Sequence, residues 1–358
     1  MQKIDLKKYG LTPRFEQEAS MYEGMHTARV TQQHRDIYNV ICSGGEILAS
    51  VSGKFSYDAK GVTDYPVVGD WVIIDREDNS AGNAVIHHVL TRKSVFERKA
   101  AGTSNETQII ASNIDTVFIC MSLNANFNLR RIERYLSVAF NSMAMPVIVL
   151  TKADLCYDIT AKLAEISEVS AGADVIVCSS MESDGYSDVL KYITQGKTIA
   201  FIGSSGVGKS TLINRLIGAD ILATKETGND DKGAHTTTRR QMIALPGGAV
   251  VVDTPGMREL GLESADISRT FEDIEQLSQM CRFKDCTHDK EPGCAVKQAI
   301  QSGQLSQKRF DSYKKLQSEI IYEGLNSRQL ENEKIKKMFG SKAEMKQLMK
   351  QAKNKNKY

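Results

Sequence analysis

Residues 197–218 read KTIAFIGSSGVGKSTLINRLIG. The strand KTIAFIG runs straight into Gly203, Ser204, Ser205, Gly206, Val207, Gly208, Lys209, Ser210 and Thr211, and then into the helix TLINRLIG. This is the full phosphate-binding loop pattern, between strand and helix as its mechanism requires. The glycines let backbone N–H groups turn inward around a β-phosphate, and the helix N-terminus adds its positive dipole end. Lys209 is placed to reach the β- and γ-phosphates, and Ser210 to ligate Mg²⁺. The competing reading, a glycine-rich turn with a coincidental lysine, does not account for the strand-to-helix context.

Downstream, RRQMIALPGGAVVVDTPG (239–256) reads as a hairpin that adds one antiparallel strand at a sheet edge. Its second strand ends in Asp253, suited to hold the Mg²⁺ shell, and the N–H of Gly256 can meet the γ-phosphate. Upstream, the strand MPVIVL ends in Thr151-Lys152-Ala153-Asp154. A carboxylate at Asp154 accepts two hydrogen bonds from guanine N1–H and its exocyclic amine, a donor pair adenine lacks, while the Lys152 stem lies over the base. Such a site rejects the wrong base because a buried carboxylate would be left unpaired. Cys178-Ser179-Ser180, at the end of the next strand, matches a segment that backs guanine O6 with a backbone N–H. The base-reading motif therefore precedes the phosphate loop, and DTPG comes last. The order is permuted, and termini lying close together on a surface make such a permutation feasible.

Where many GTPases place a water-orienting Gln after DxxG, this chain has Met257. Between the phosphate loop and the hairpin, TKETGNDDKGAHTTTRR (224–240) is polar and loop-like. One of Thr236, Thr237 and Thr238 is expected to close on Mg²⁺, with Thr237 taken as the ligand. His235 is either the group that orients water or a solvent-exposed bystander.

The remaining chain divides around this core. Residues 1–25 are polar, with a short helix expected around Arg14–Ser20. From His26 to about Arg98, five short alternating runs (ARVTQQ, IYNVIC, EILASVSG, GDWVIID, AVIHHVL) are separated by Gly, Asp and Asn turns. They fit a small closed barrel, either of the oligonucleotide-binding (OB) type or an SH3-like barrel with no nucleic-acid role. KAAGTSNET (99–107) reads as a linker. Strands and helices then alternate, with Ile132, Leu136 and Ala139 on one helix face, which predicts a parallel sheet covered on both sides. After Asp266 the chain becomes helical and charged. The expected domains are an extension (1–25), the barrel (26–98), a permuted GTPase (107–265) and a helical metal-binding domain with a basic tail (266–358).

In that last region Cys281-x4-Cys286-x-His288-x5-Cys294 gathers three thiols and one imidazole within fourteen residues, a closed tetrahedral set for one structural Zn²⁺. The other four of the seven cysteines, Cys42, Cys120, Cys156 and Cys178, lie in apolar stretches and read as core residues. No disulfide framework or signal peptide is visible and no stretch reaches membrane-span length, so a cytoplasmic protein with no membrane association is expected. The formal charge of +2 hides an asymmetry, because Lys334–Tyr358 carries nine lysines against one acidic residue, Glu344. That segment, with Arg92, Lys93, Arg98 and Lys99 at the barrel exit, offers charges for RNA phosphates, against the plainer reading of a solvated tail.

The whole chain resembles a bacterial family, the ribosome small-subunit-dependent GTPases (RsgA, also called YjeQ). The marks are TKAD, GSSGVGKST, GAHTTT, DTPGMRE and CRFKDCTHDKEPGCAV. The family often has Asn where Thr151 stands and a bulkier residue at Ala234. The resemblance implies a monomer that binds GTP and GDP. It also implies contact with the small ribosomal subunit and its rRNA late in assembly, GTP hydrolysis stimulated by that subunit, and release on hydrolysis. It further implies that His235 helps hydrolysis. The alternatives are a GTP-dependent switch acting on a non-ribosomal RNA or protein, and an RNA-binding module whose nucleotide domain is only structural. Intact Lys209, Ser210, Asp253 and Asp154 argue against the last.

Overall fold

The computed structural model describes residues 3–99, 107–179, 181–182, 184–222, 241–253, 267–323 and 344. After a 3₁₀ turn at Leu6–Tyr9, helix α1 (Pro13–Ala19) carries proline in its first turn and buries Phe15 against Trp71. Five strands follow: β1 (His26–Gln33), β2 (Tyr38–Cys42), β3 (Gly45–Val51), β4 (Trp71–Ile74) and β5 (Ala84–Val89), with helix α2 (Gly53–Asp58) after β3. They pair in the order β1-β2-β3-β5-β4, and β4 returns to β1, so the sheet closes into a barrel. The parallel β3–β5 pairing that completes the circle selects the OB-type barrel over the SH3-like alternative. Alternating residues such as Ala28, Val30, Val40, Val72 and Ile86 fill its interior.

Strands β6 (Val95–Lys99) and β7 (Thr107–Ser112) form a separate antiparallel ribbon. The residues read as the two ends of a linker, Lys99 and Thr107, are thus paired to each other, and 100–106 lie outside the described residues.

The expected α/β unit follows: β8 (Thr116–Ser122), α3 (Leu129–Asn141), β9 (Met145–Thr151), α4 (Ile159–Ser167), β10 (Asp174–Val177), α5 (Ser187–Leu190), β11 (Thr198–Ile202), α6 (Lys209–Ile217), β12 (Gln241–Ala244) and β13 (Val250–Asp253). The strand order is β10-β9-β8-β11-β13-β12, parallel except for β12. Every residue of β8 and β11 is buried, as befits central strands covered on both faces. The chain moves outward from β8 to β10 and then returns to the other side of β8. The strand order therefore reverses between β8 and β11, where open α/β sheets bind ligands beyond the strand carboxyl ends.

One expectation is corrected. β12 does not lie at an edge; it sits between β13 and the barrel strand β1, with Gln241 opposite Gln32. A bulge at Thr31 provides the physical reason: one extra residue bends the end of β1 out of the barrel register and toward β12. The joint is reinforced by a buried polar network. Arg29 donates to the carbonyl oxygens of Tyr9, Gly69 and Asn113, and burial lowers its pKa to about 10.

Helices α7 (Glu272–Gln279), α8 (Ala295–Gln301) and α9 (Gln307–Glu323) follow. They pack on α3, sharing a core in which Phe271, Ile274, Phe310 and Leu316 meet Ile132 and Leu136. Arg309 is the polar centre of this contact. It donates to Glu133 Oε1 (2.9 Å), to Thr270 O (2.7 Å) and twice to Asp273 (2.9 Å) while its planar group stacks on Phe271. Among the described residues, no helix is long and apolar enough to cross a membrane.

Candidate nucleotide site and metal centre

The carboxyl ends of β9, β10, β11 and β13 deliver the sequence motifs to one end of the sheet. β9 ends at Thr151, β10 leads into Cys178 and Ser179, β11 leads into Gly203, and β13 ends at Asp253. Gly203 is required by space as well as conformation. Its φ is +144°, and a Cβ there would lie 2.4 Å from the carbonyl oxygen of Cys120 on β8. Gly206 (φ 76°) and Gly208 (φ 96°) also take left-handed backbone, which lets the loop wrap inward before α6 begins. Lys209 is buried, and its ammonium donates to the carbonyl oxygens of Gly203 (2.7 Å) and Ser204 (2.6 Å). Ser210 and Thr211 occupy the first turn of α6, half-buried.

The segment 151–154 is tied directly to this loop. Thr151, in the position where the family often has Asn, donates its hydroxyl to the carbonyl oxygen of Val207. Both residues are buried, so the shorter side chain still reaches its partner. Lys152 adopts a left-handed conformation (φ 58°), which turns the chain out of β9 toward Asp154. The segments 151–154 and 178–179 are clipped together, since Ala153 N–H donates to Cys178 O (3.2 Å) and Ser179 Oγ donates to Asp154 Oδ1 (2.7 Å). Ser179 is in turn anchored by its N–H on Gly185 O (2.8 Å). This serine therefore fixes one carboxylate oxygen of Asp154. Asp253 is half-buried at the end of β13, with Gln241 as its cross-strand neighbour. Ser180, His235, Thr236, Thr237, Thr238, Gly256 and Met257 lie outside the described residues.

The second centre lies between α7 and α8. The ligating atoms of Cys281, Cys286, His288 and Cys294 all fall within 4.8 Å of one another. Cys281 Sγ is 3.9 Å from Cys294 Sγ and 3.7 Å from His288 Nδ1, which is 3.4 Å from Cys294 Sγ. The edge of a tetrahedron with Zn–S bonds of about 2.3 Å is about 3.8 Å, so the three thiols and the imidazole fit one tetrahedral ion. Ser278 sets the tautomer. Its hydroxyl donates to Ile274 O (2.9 Å), so its oxygen accepts from His288 Nε2–H (3.1 Å), and the Nδ1 lone pair is left facing the sulfurs. Burial holds this imidazole below its ordinary pKa and hence neutral, the form that ligates.

Two charges assigned from the sequence to RNA contact are committed elsewhere. Arg92 forks onto the fully buried Asp70 (2.8 and 2.7 Å) and onto the carbonyl oxygens of Thr63 and Tyr65, and Lys93 pairs with Asp115 (2.7 Å). The Lys93 pair joins the barrel to the α/β sheet at Asp115, just ahead of β8, whereas the Arg92 fork lies within the barrel, where it neutralises the buried Asp70. Arg98 donates to Gln108 across the β6–β7 ribbon. Cys42, Cys120 and Cys178 are buried as expected, while Cys156 is only half-buried. Sequence reasoning passed over the Ser179 side-chain bond to Asp154, over Ser278 and over the Glu133–Arg309 pair. The buried polar stripe Glu133–Ser137, beside the apolar stripe of α3, was the one available signal for a covering partner.

The family model of the RsgA GTPase matches residues 89–263. A small ribosomal subunit biogenesis GTPase RsgA 2 of Lactiplantibacillus plantarum is 52% identical over 347 residues, covering 96% of this chain and 97% of the relative. The protein of that function in Opitutus terrae is 43% identical over 311 residues, 84% and 85% of the two chains. Two solved structures share the fold at 26% identity. YjeQ from Thermotoga maritima has a TM-score of 0.63 over 83% of this chain and 99% of its own, and YloQ, a circularly permuted GTPase, 0.61 over 84% and 96%. A permuted sheet that carries the GSSGVGKST loop and the Asp154 carboxylate at one end agrees with these likenesses along nearly the full length, and the chain belongs to the RsgA family of circularly permuted GTPases and is a GTP hydrolase.

Proposed function

We propose that this GTPase acts late in maturation of the small ribosomal subunit, hydrolysing GTP to GDP and phosphate under stimulation by that subunit and contacting its rRNA. The observation that carries the reading is the shared end of the sheet, where Thr151, Asp154, Gly203 and Asp253 converge, with an OB-type barrel joined to the same sheet. The names of the relatives supply the ribosomal context.

In this reading residues 203–211 wrap the phosphates, and Thr151, Lys152, Ala153, Asp154, Ser179 and Ser180 hold guanine. Gly256 meets the γ-phosphate. Ser210, Thr237 and Asp253 would hold Mg²⁺, which supplies charge neutralisation on the phosphates. Cys281, Cys286, His288 and Cys294 would hold one structural Zn²⁺ and take no part in the chemistry. His235 orients the attacking water, a task the apolar Met257 cannot perform. The division into extension (1–25), barrel (26–98), GTPase (107–265) and zinc domain with basic tail (266–358) assigns RNA contact to barrel and tail. The protein works as a cytoplasmic monomer.

The test is GTP turnover of the purified protein with and without small ribosomal subunits, with large subunits as control. Stimulation by small subunits alone, largely lost in His235→Ala while GTP binding persists, is the expected result. Equal turnover with both subunits would refute the ribosomal assignment, and undiminished stimulation of His235→Ala would remove His235 from catalysis.

A further inference from the structure

Four donors in the loop between Cys286 and Cys294 converge on one carboxylate. Glu291 Oε1 accepts the N–H of Thr287 (3.1 Å) and the Thr287 hydroxyl, and Oε2 accepts the N–H groups of Asp289 (2.9 Å) and Lys290 (3.0 Å). The residue they enclose is His288, the imidazole of the metal centre. Its φ is +61°, a left-handed backbone that a residue with a Cβ adopts at a cost. Successive N–H groups in such a turn form a concave nest that holds anions. Here the chain supplies the anion itself, three residues after the histidine.

The neighbouring sequence favours this arrangement. Pro292 biases the residue before it toward extended backbone, and Gly293 then takes φ +74°. The turn is closed by Arg282 N–H donating to Gly293 O (3.1 Å), next to the first ligand, Cys281. Two carbonyl oxygens of the loop are held from outside it. Thr287 O accepts from Lys314 Nζ on α9 (2.7 Å), and Asp289 O accepts from Lys297 on α8. Each lysine gives one bond from the end of a flexible four-carbon stem, whereas the local carboxylate gathers four. Glu291 is therefore the stronger determinant of the loop's shape. With the backbone in this turn, His288 Nδ1 lies 3.7 Å from Cys281 Sγ and 3.4 Å from Cys294 Sγ. A return of His288 to ordinary negative φ would swing its Cβ, and the ring with it, away from those sulfurs. Ser278 fixes which ring nitrogen faces the thiols; the nest fixes where the ring stands.

We propose that Glu291 is a positioning residue of the metal centre: its carboxylate, seated on the donors of Thr287, Asp289 and Lys290, holds His288 in its ligating place and so sets the affinity for the ion. It acts through the backbone on either side of the imidazole. The inference rests on the reading of Cys281, Cys286, His288 and Cys294 as one metal site.

Zn²⁺ affinity of the full chain, by competition with a chromophoric chelator, tests it in wild type, Glu291→Gln, His288→Ala and the double variant. Co²⁺ absorption on the same four proteins reports whether the imidazole belongs to the ligand set. Glutamine keeps the shape of this half-buried side chain but offers one acceptor oxygen in place of two. Glu291→Gln is expected to lower Zn²⁺ affinity about 10- to 100-fold, as loss of a group that orients a metal ligand does. In the His288→Ala background the same change should cost less than about threefold, because a carboxylate that works through the imidazole then has nothing to position. Thr287→Val, which removes one donor and leaves the carboxylate, should give a smaller loss in the same direction. Affinity of Glu291→Gln within about twofold of wild type overturns the proposal. An equal loss with and without His288 also overturns it, since Glu291 would then brace the loop without acting on the ligand. If the wild-type chain takes up neither Zn²⁺ nor Co²⁺, the metal-site reading itself falls, and the role of Glu291 falls with it.

Discussion

Thr151→Val tests how the base-reading segment supports the phosphate loop. Valine matches threonine in shape, so packing around the 2% exposed side chain is conserved and the change removes little except the hydroxyl. That hydroxyl donates to the carbonyl oxygen of the fully buried Val207, midway along the loop. A buried acceptor that loses its donor costs about 1–3 kcal/mol. If the unliganded loop relaxes to recover a partner, the cost appears in nucleotide binding, as a loss of roughly 5- to 150-fold. If the loop is held in place regardless, the same cost appears in unfolding stability. Affinity by fluorescent-nucleotide titration and stability by urea unfolding, measured together, should account for about 1–3 kcal/mol between them. The ratio of GTP to ATP affinity should not change, because the bond supports the loop and does not touch the base. Thr151→Ser keeps the donor and should stay near wild type in both measurements. Wild-type affinity and wild-type stability in Thr151→Val would show that this bond contributes nothing.

Other outcomes follow from the same geometry. Asp154→Asn should weaken GTP binding by about 100-fold or more and favour xanthine nucleotide, whose ring has an acceptor where guanine has an amine; unchanged GTP affinity in competition with XTP and ATP would remove Asp154 from the base site. Ser179→Ala, which frees one oxygen of an exposed carboxylate that water can reach, should cost GTP binding only about 1 kcal/mol, and a hundredfold loss would contradict its supporting role. Arg309→Met strands Glu133, which is 1% exposed, and should destabilise the α3–α9 contact by about 3–5 kcal/mol in thermal or urea unfolding; a loss below 1 kcal/mol would show that the pair is dispensable. Ser278→Ala should lower zinc affinity by about 10–100-fold in a chelator competition, since His288 loses the partner that holds its tautomer, and equal affinity would refute that role.

The chemistry-bearing motifs were legible because each depends on local order. GSSGVGKST needs only a strand before it and a helix after it, and TKAD needs only a strand end. The Cys281–Cys294 cluster carries its metal geometry in its spacing, and the permuted order of the motifs is itself a property of the linear chain. Alternation likewise marked the five barrel strands and the buried face of α3. Pairings between distant segments were not legible, because a period of two or of 3.6 says which face is buried and not what covers it. Arg92 and Lys93 illustrate this. As residues in a basic stretch they read as phosphate contacts, yet Asp70 and Asp115, 22 positions away from each in sequence, neutralise them, the first within the barrel and the second where the barrel meets the α/β sheet. In the same way RRQMIALP read as an edge strand, since nothing local reveals that a bulge at Thr31 would bring β1 against it. The sequence by itself determined the GTPase class, the three cysteines and one histidine that could hold a metal, and the order of the modules. Tertiary structure alone decided that Thr151 reaches Val207, that Glu133 is sealed by Arg309, and that one continuous sheet joins the barrel to the nucleotide site, because burial and the pairing of backbone edges are settled only when remote parts of the chain meet.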